Sequence, residues 1–241
     1  MKAFILAAGN GERLRPLTGT IPKCLVPVKG VPLLAIWLEL CCRHGIGEVL
    51  VNTHSHAKAV RDFLGLYSGN LKVHIAHEES LLGSAGTLLA NRRWIGSDED
   101  FWVLYGDVLT NMDLTGMLAL HRAKGQIATM GVHTVDDPSQ CGIVTVDESQ
   151  NVQGFTEKPS RPMNNLAFSG ILAAASGIFD EIPKRVPADL GFHVLPNLVG
   201  RMSAYVVRDY LIDVGSPASY RDAQLSWPGL DCSSAREHYG N

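Results

Sequence analysis

Nothing in this 241-residue sequence suits a membrane span, a disulfide framework or a polyanionic partner. No apolar run approaches the ~18 residues needed to cross a bilayer. The N-terminus offers one lysine ahead of a short apolar stretch, without the charged, apolar and small-residue zones of a secretory leader. Lysines and arginines are scattered, and the formal net charge is −3, so composition carries no footprint for nucleic acid. Any phosphate handled here is expected on a small molecule. Five cysteines (Cys24, Cys41, Cys42, Cys141, Cys232) are odd in number and lack Cys-x-x-Cys spacing. That sets aside disulfide and zinc frameworks and makes a reducing cytoplasm the expected setting. His54 with His56, and His74 with His77, find no third ligand at a metal-binding spacing, and no nucleophile sits on an elbow motif. Internal repeats and a Gly/Ser/Pro-rich linker are also missing. So are the two familiar phosphate fingerprints. There is no Gly-x-x-x-x-Gly-Lys-Ser/Thr, and Leu14 stands where Gly-x-Gly-x-x-Gly needs its third glycine.

What is present is a hydrophobic fraction of 46% and a charged fraction of 19%, enough to build a sizeable core in one large domain or two closely packed halves. Ala3–Leu6 reads as a buried strand. Pro32 opens a helix with Leu33, Ile36, Trp37, Leu40, Cys41 and His44 at helical spacing, ended by Gly45. Glu48–Thr53 is a strand, Ser55 is placed to cap a helix to Leu66, and Leu71–Ala76 alternates as a strand. Ser84–Trp94 reads as one helix and Phe101–Tyr105 as a strand. Four strand–helix alternations predict a mainly parallel sheet covered by helices, an α/β fold. From Asp113, a cap, a helix runs to Lys124. Then come strands at Ile127–Val135, Gly142–Val146, Val152–Thr156, Leu166–Ala174 and Ser203–Val207, a helix over Ala188–Gly200, and a last helix from a Ser216 cap to Trp227. Residues 1–227 are expected as one domain, with a first half at 1–112, an α+β second half at 113–227, and a loose tail at 228–241.

The chain is organised around its first strand and the turn that closes it. Gly9-Asn10-Gly11-Glu12-Arg13 places two glycines where the backbone can take positive φ and a ligand can approach the main chain. Successive N–H groups in such a turn make a concavity for phosphate oxygens, and Arg13, Arg15 and Lys23 supply cations. Gly9 and Gly11 alone would be only a turn. Four later stretches join them. Leu82-Gly83-Ser84-Ala85-Gly86-Thr87 opens a helix and permits close approach of a flat ring, or simply tight packing. Tyr105-Gly106-Asp107 ends a buried strand, where ligands of open parallel sheets gather, and Asp107 suits a hard cation. Gly154–Pro159 delivers Glu157 and Lys158 at a strand end. Leu211-Ile212-Asp213-Val214-Gly215 carries an Asp between strand and helix, with Ser216 the better cap.

The string Ala-Ala-Gly-x-Gly-x-Arg-Leu-x-Pro-Leu-Thr, continued by Pro22-Lys23 and Pro27, resembles the signature of the sugar-1-phosphate nucleotidylyltransferases. The other stretches come in that family's order over residues 2–225. The resemblance implies a Rossmann-like nucleotide-diphospho-sugar transferase fold with a nucleotide-binding first half and a sugar-phosphate-binding second half. Leu6, Ala7, Ala8, Gly9, Asn10, Gly11, Glu12, Arg13 and Lys23 would bind the triphosphate. Glu79, Gly83, Ser84, Ala85, Gly86 and Gly106 would face the base and ribose. Gly142, Glu157, Lys158, Ser169 and Gly170 would meet the sugar phosphate, and Asp107 and Asp213 would hold Mg²⁺. Arg13, Lys23, Asp107 and Lys158 would carry catalysis. Ser84 departs from the more usual Thr. Ala-Ala-Gly, Ile21-Pro22-Lys23-Cys24 and the absent hexapeptide repeats look more like guanylyltransferases of mannose- or heptose-type phosphates, or short uridylyltransferases, than thymidylyltransferases. A cytidylyltransferase acting on a non-sugar phosphate and an inactive nucleotide-sugar sensor are the rivals. A cytoplasmic monomer or homodimer working on small molecules, with neither nucleic acid nor membrane as partner, is expected.

Overall fold

A computed structural model describes residues 1–96 and 100–230. Cys232 and most of the expected tail lie outside the described residues. The elements, in chain order, begin with Lys2–Leu6 (β1), the short pair Pro27–Val28 (β2) and Val31–Pro32 (β3), and helix Leu33–Arg43 (α1). Glu48–Thr53 (β4), Ala57–Gly65 (α2), Lys72–His77 (β5), Ser84–Ala90 (α3), Arg92–Ile95 (α4) and Phe101–Tyr105 (β6) follow. Next come Val108–Thr110 (β7), Leu114–Lys124 (α5), Ala128–Thr134 (β8), Gly142–Val146 (β9), Val152–Glu157 (β10) and Leu166–Ala174 (β11). Met202–Val206 (β12), Leu211–Asp213 (β13) and Pro217–Ser226 (α6) complete the described chain. The class is α/β, a mixed and mainly parallel sheet flanked by helices.

Two units share the chain. Of the described residues, one takes Met1–Ser80, Leu104–Met112 and those from Asp209 on; the other takes those within Leu81–Val103 and Asp113–Arg208. In the first, β1, β4 and β5 run parallel with Lys2 opposite Glu48 and Glu48 opposite Lys72. Both faces of such a sheet must be covered, which is why β1 and β4 are near-continuous apolar runs rather than alternating ones. α1 is buried from Leu33 to Cys41, including Glu39, whose carboxylate accepts from Arg43 Nε at 2.9 Å one turn on. In the second unit β8 pairs antiparallel with β11 and parallel with β12, and β9–β10 is an antiparallel hairpin. Asp147 ties its turn, with Oδ1 accepting from the N–H groups of Ser149 (2.9 Å) and Asn151 (2.8 Å).

Three expected elements are corrected. Ser55 does not cap α2, which starts at Ala57 after His56, a residue in the left-handed region with no side-chain cap bond. The helix expected over Ser84–Trp94 is two pieces, α3 and α4. Asn91 leaves helical geometry (φ −108, ψ 15) and turns its side-chain N–H back onto the Thr87 carbonyl at 2.9 Å. Apolar periodicity runs through that break, so the pattern hides it. Ala188–Gly200 is no α-helix but a π-type turn at Leu190–Val194 with a 3-10 turn after it at Leu195–Leu198. Pro196 has no N–H for an α-helical bond and its ring crowds the preceding turn.

Candidate active site

In the first unit, β1 ends at Leu6 and the chain turns through Ala7–Arg13. The Ala7 N–H donates to the Asn52 side-chain Oδ1 (2.6 Å), and Asn52 Nδ2 in turn donates to the Glu78 carboxylate (2.8 Å), fixing the start of the turn. Gly106 donates its N–H to the Leu6 carbonyl at 2.9 Å, and a Cβ there would lie 2.9 Å from the same oxygen. Leu6, Ala7 and Gly106 are thus fixed where the strand passes into the turn. Of the two turn glycines only Gly11 has positive φ, at 66°. Thr18 Oγ1 donates to its carbonyl (2.6 Å), and a Cβ on Gly11 would come within 3.0 Å of the Thr18 side chain. A Cβ on Gly9 would meet nothing within 4 Å. The expectation of two positive-φ glycines is corrected to one. Among the described residues the N–H groups of residues 9–12 meet no acceptor, and they open onto a cleft of about 370 Å³ lined by Gly9–Arg13, Lys23, Asp107 and Gly215.

The charged groups of that cleft are brought together by a ladder the sequence reading missed. β13 pairs antiparallel with β7, Asp213 opposite Val108, and the Val214 N–H donates to the Asp107 carbonyl at 2.9 Å. Asp107 and Asp213 therefore sit side by side. Lys23 Nζ donates to Asp107 Oδ2 at 2.6 Å and stands 3.5 Å from Asp213 Oδ1, while Arg13 is 3.6 Å from Asp213 Oδ2. A Cβ on Gly215 would lie 2.9 Å from both Asp213 carboxylate oxygens and 3.1 Å from the Arg13 guanidinium, so glycine makes room for that pair. Loss of surrounding water, then the Asp107 charge, push the Asp213 carboxyl above its ordinary value, against Lys23 and Arg13. About half of its side-chain surface (54%) stays open to solvent, which screens the effect. Cys24, next to Lys23, is buried, and that burial pushes its thiol up to about 12, so it is no nucleophile.

Two carboxylates flanking a phosphate-shaped turn suit a hard cation. Magnesium is commonly held by one or two carboxylates with substrate phosphates and water completing the shell. Among the described residues no group of three potential ligands occurs, so the donor set fits a cation finished by substrate oxygens rather than a closed protein cage.

The second unit gathers the other predicted residues. Gly83 has φ 79, and its missing side chain would run into the Ala188 carbonyl, which accepts from the N–H groups of Ala85 (2.9 Å) and Gly86 (3.0 Å). Ser84 Oγ donates to Asp189 Oδ2 (2.9 Å) and accepts from the Leu190 N–H (2.7 Å). Glu157 occupies space that side chains on Gly142 and Gly191 would fill. Burial, then the Asp189 charge, raise its carboxyl above the ordinary range, with Lys158 opposing. Lys158 comes next at φ 47, its N–H bound to the Cys141 carbonyl at 2.9 Å. Ser169 is buried on β11, where a Cβ on Gly131 would meet its hydroxyl, and Gly170 beside it has φ 78. In the first unit, Glu79 is exposed beside the buried Glu78. Asn52 and Asp189 were missed. Asp189 was legible as a polar residue ahead of a helix-like run, the place of a cap, and its side chain does accept from the Gly191 and Phe192 N–H groups. Asn52 had no signal, being one polar residue in a buried strand.

Comparison with known proteins places this geometry. Residues 2–227 match the family described as nucleotidyl transferase. Mannose-1-phosphate guanylyltransferase 1 of Arabidopsis thaliana is 33% identical over 227 residues, covering 91% of this chain and 63% of its own length. A UTP–glucose-1-phosphate uridylyltransferase of Synechocystis is 34% identical over 242 residues, covering 92% of this chain and 62% of its own length. The chain thus spans rather less than two thirds of these relatives. A putative glucose-1-phosphate thymidylyltransferase from Bacillus anthracis shares the fold with a TM-score of 0.86 at 23% identity, covering 98% of each chain. HddC from Yersinia pseudotuberculosis superposes with a TM-score of 0.79 at 25% identity over 94% of this chain and 99% of its own. The chain belongs to the nucleotidyl transferase family.

Proposed function

We propose that this chain transfers a nucleotidyl group from a nucleoside triphosphate, GTP in preference, to a sugar-1-phosphate, releasing pyrophosphate. The observation that carries the reading is the turn at residues 9–12, whose unengaged N–H groups share one cleft with Arg13, Lys23 and Asp107. A phosphate oxygen of the sugar phosphate attacks the α-phosphorus, and the bond from that phosphorus to the β-phosphate oxygen breaks. The attacking group is already an anion, so no general base is required, and the barrier is charge repulsion and alignment. Residues 9–12 and Arg13 bind the leaving pyrophosphate, and the open space over Gly9 lets its oxygens reach the main chain. Lys23 serves the α-phosphate and Lys158 the sugar phosphate. Glu157, Gly142, Ser169 and Gly170 meet the sugar, and Glu79 and Gly83–Gly86 the base and ribose. Asp107 and Asp213 would hold Mg²⁺, which when bound offsets charge on the phosphate oxygens. The enzyme works in the cytoplasm on small molecules.

GTP is favoured by the relatives named mannose-1-phosphate guanylyltransferase, from Arabidopsis and Dictyostelium among others, and by HddC, which is known in complex with GMP-PN. The uridylyltransferase relative supports UTP as a second reading. Pyrophosphate release across four nucleoside triphosphates and several sugar-1-phosphates is the test. Highest release with GTP and a mannose- or heptose-type phosphate is expected. Selective release with UTP would establish the second reading, and silence with every pair would overturn both.

A further inference from the structure

Phe192 breaks the burial logic of its unit. Phe101, Phe155 and Phe179 are all buried, whereas Phe192 is 55% exposed on the π-type turn after Asp189. Its ring is not idle. The Lys158 ammonium lies over it, 5.9 Å from the centroid, where a cation is drawn to the ring's negative face. Lys158 leaves the main chain in the left-handed region (φ 47), costly for a residue with a β-carbon, and its N–H is bound to the Cys141 carbonyl. Such conformations persist where the surroundings over-determine them, and they cluster at ligand clamps. Among the described residues no carboxylate stands within ion-pair distance of this ammonium. Glu157 next to it is felt only through the field that Lys158 exerts on its carboxyl. An aromatic face orients the charge, then, and leaves it unneutralised.

We infer that Phe192 is a positioning residue for Lys158, its ring holding the ammonium ready for the phosphate of a sugar-1-phosphate. The inference rests on the reading of Lys158 as the sugar-phosphate contact. An aliphatic side chain would keep the apolar cover and lose the quadrupole, whereas tyrosine keeps both. A merely structural Phe192 would answer to size alone.

Steady-state pyrophosphate release tests it. Phe192→Leu is expected to raise the KM for the sugar-1-phosphate about two- to fivefold, the range of an exposed cation–π contact, without moving the KM for the triphosphate. Phe192→Tyr should restore the wild-type value, and Phe192→Leu in a Lys158→Met background should add nothing. An unchanged KM in Phe192→Leu, an equal loss in Phe192→Tyr, or an equal rise for both substrates overturns the inference. A second readout needs no turnover. The Lys158 ε-methylene proton resonance, assigned with Lys158→Met, should be ring-current shifted upfield in the wild type and in Phe192→Tyr but not in Phe192→Leu. An unshifted wild-type resonance overturns the pairing. A wild type inactive with every substrate pair instead overturns the reading of the site, and the resonance then decides the pairing by itself.

Discussion

Lys23 touches one carboxylate at 2.6 Å and stands 3.5 Å from a second, so a single ammonium holds together two acids that would otherwise repel. Its side chain is only 11% exposed, which makes these contacts less screened than surface pairs. Arg13, 65% exposed, adds a second cation to the cleft. Removing a preorganised charge from such a cleft costs on the order of 3–4 kcal/mol in the transition state. Arg13→Ala and Asp107→Ala should therefore each lower turnover at least about a hundredfold in a pyrophosphate-release assay, with far-UV circular dichroism unchanged. Near-normal turnover in either variant would sink its assignment. The turn glycines divide in a different way. Gly11 is needed by the fold, since its φ is 66° and Thr18 crowds it, while Gly9 faces open space. Gly11→Ala should lose about 1–2 kcal/mol in urea unfolding. Gly9→Ala should unfold like the wild type yet bind the triphosphate more weakly. Equal stability losses would refute that division.

At the scale of elements, the pairing of β7 with β13 matters most, because it puts Asp107 and Asp213 next to each other across more than a hundred residues of sequence. The strand ahead of Asp213 was read, but β7 was not, and with only three residues in each the alternation is too short to show that they pair. Longer elements were read almost to the residue, as with β4, β6 and β11, where apolar runs are bounded by polar or glycine positions. The readings failed where periodicity continued through a local break, at Asn91 and at Pro196. The residues of the candidate site were legible through motif order, not through local chemistry: Glu157 and Lys158 at a strand end look like any surface pair. α6 starts with a full capping box, in which Ser216 accepts from the Ser219 N–H and Ser219 reciprocates. Ser216→Ala should cost about 1 kcal/mol in chemical unfolding, and an unaltered midpoint would show the box to be dispensable.

Across the whole molecule, His121 and His133 both contribute to how stability answers acid. His121 is held between Thr129 Oγ1 (3.1 Å) and Asp100 (3.5 Å); burial lowers its proton affinity below the ordinary value, more than Asp100 restores. Burial lowers His133 as well. Both groups bind protons more readily in the unfolded chain, so their contribution to stability is complete above about pH 6.5 and is lost as pH drops through that value toward the folded-state ones. The melting temperature should decline over that window, and His121→Gln should flatten the decline. A flat profile in the wild type would contradict it. The division of the chain into interleaved units has its own outcome at the ribosome. The first unit opens the sequence but is completed only by residues from Asp209 on, after the whole second unit has been made. Asp213, which pairs with Lys23 and Arg13, lies in that last segment of the first unit. Domains generally fold as units during synthesis, N-terminal first, and this one cannot. A nascent chain released before that strand should lack the pairing of Asp107 with Asp213, so the candidate site is expected to assemble as a whole once β13 is in place.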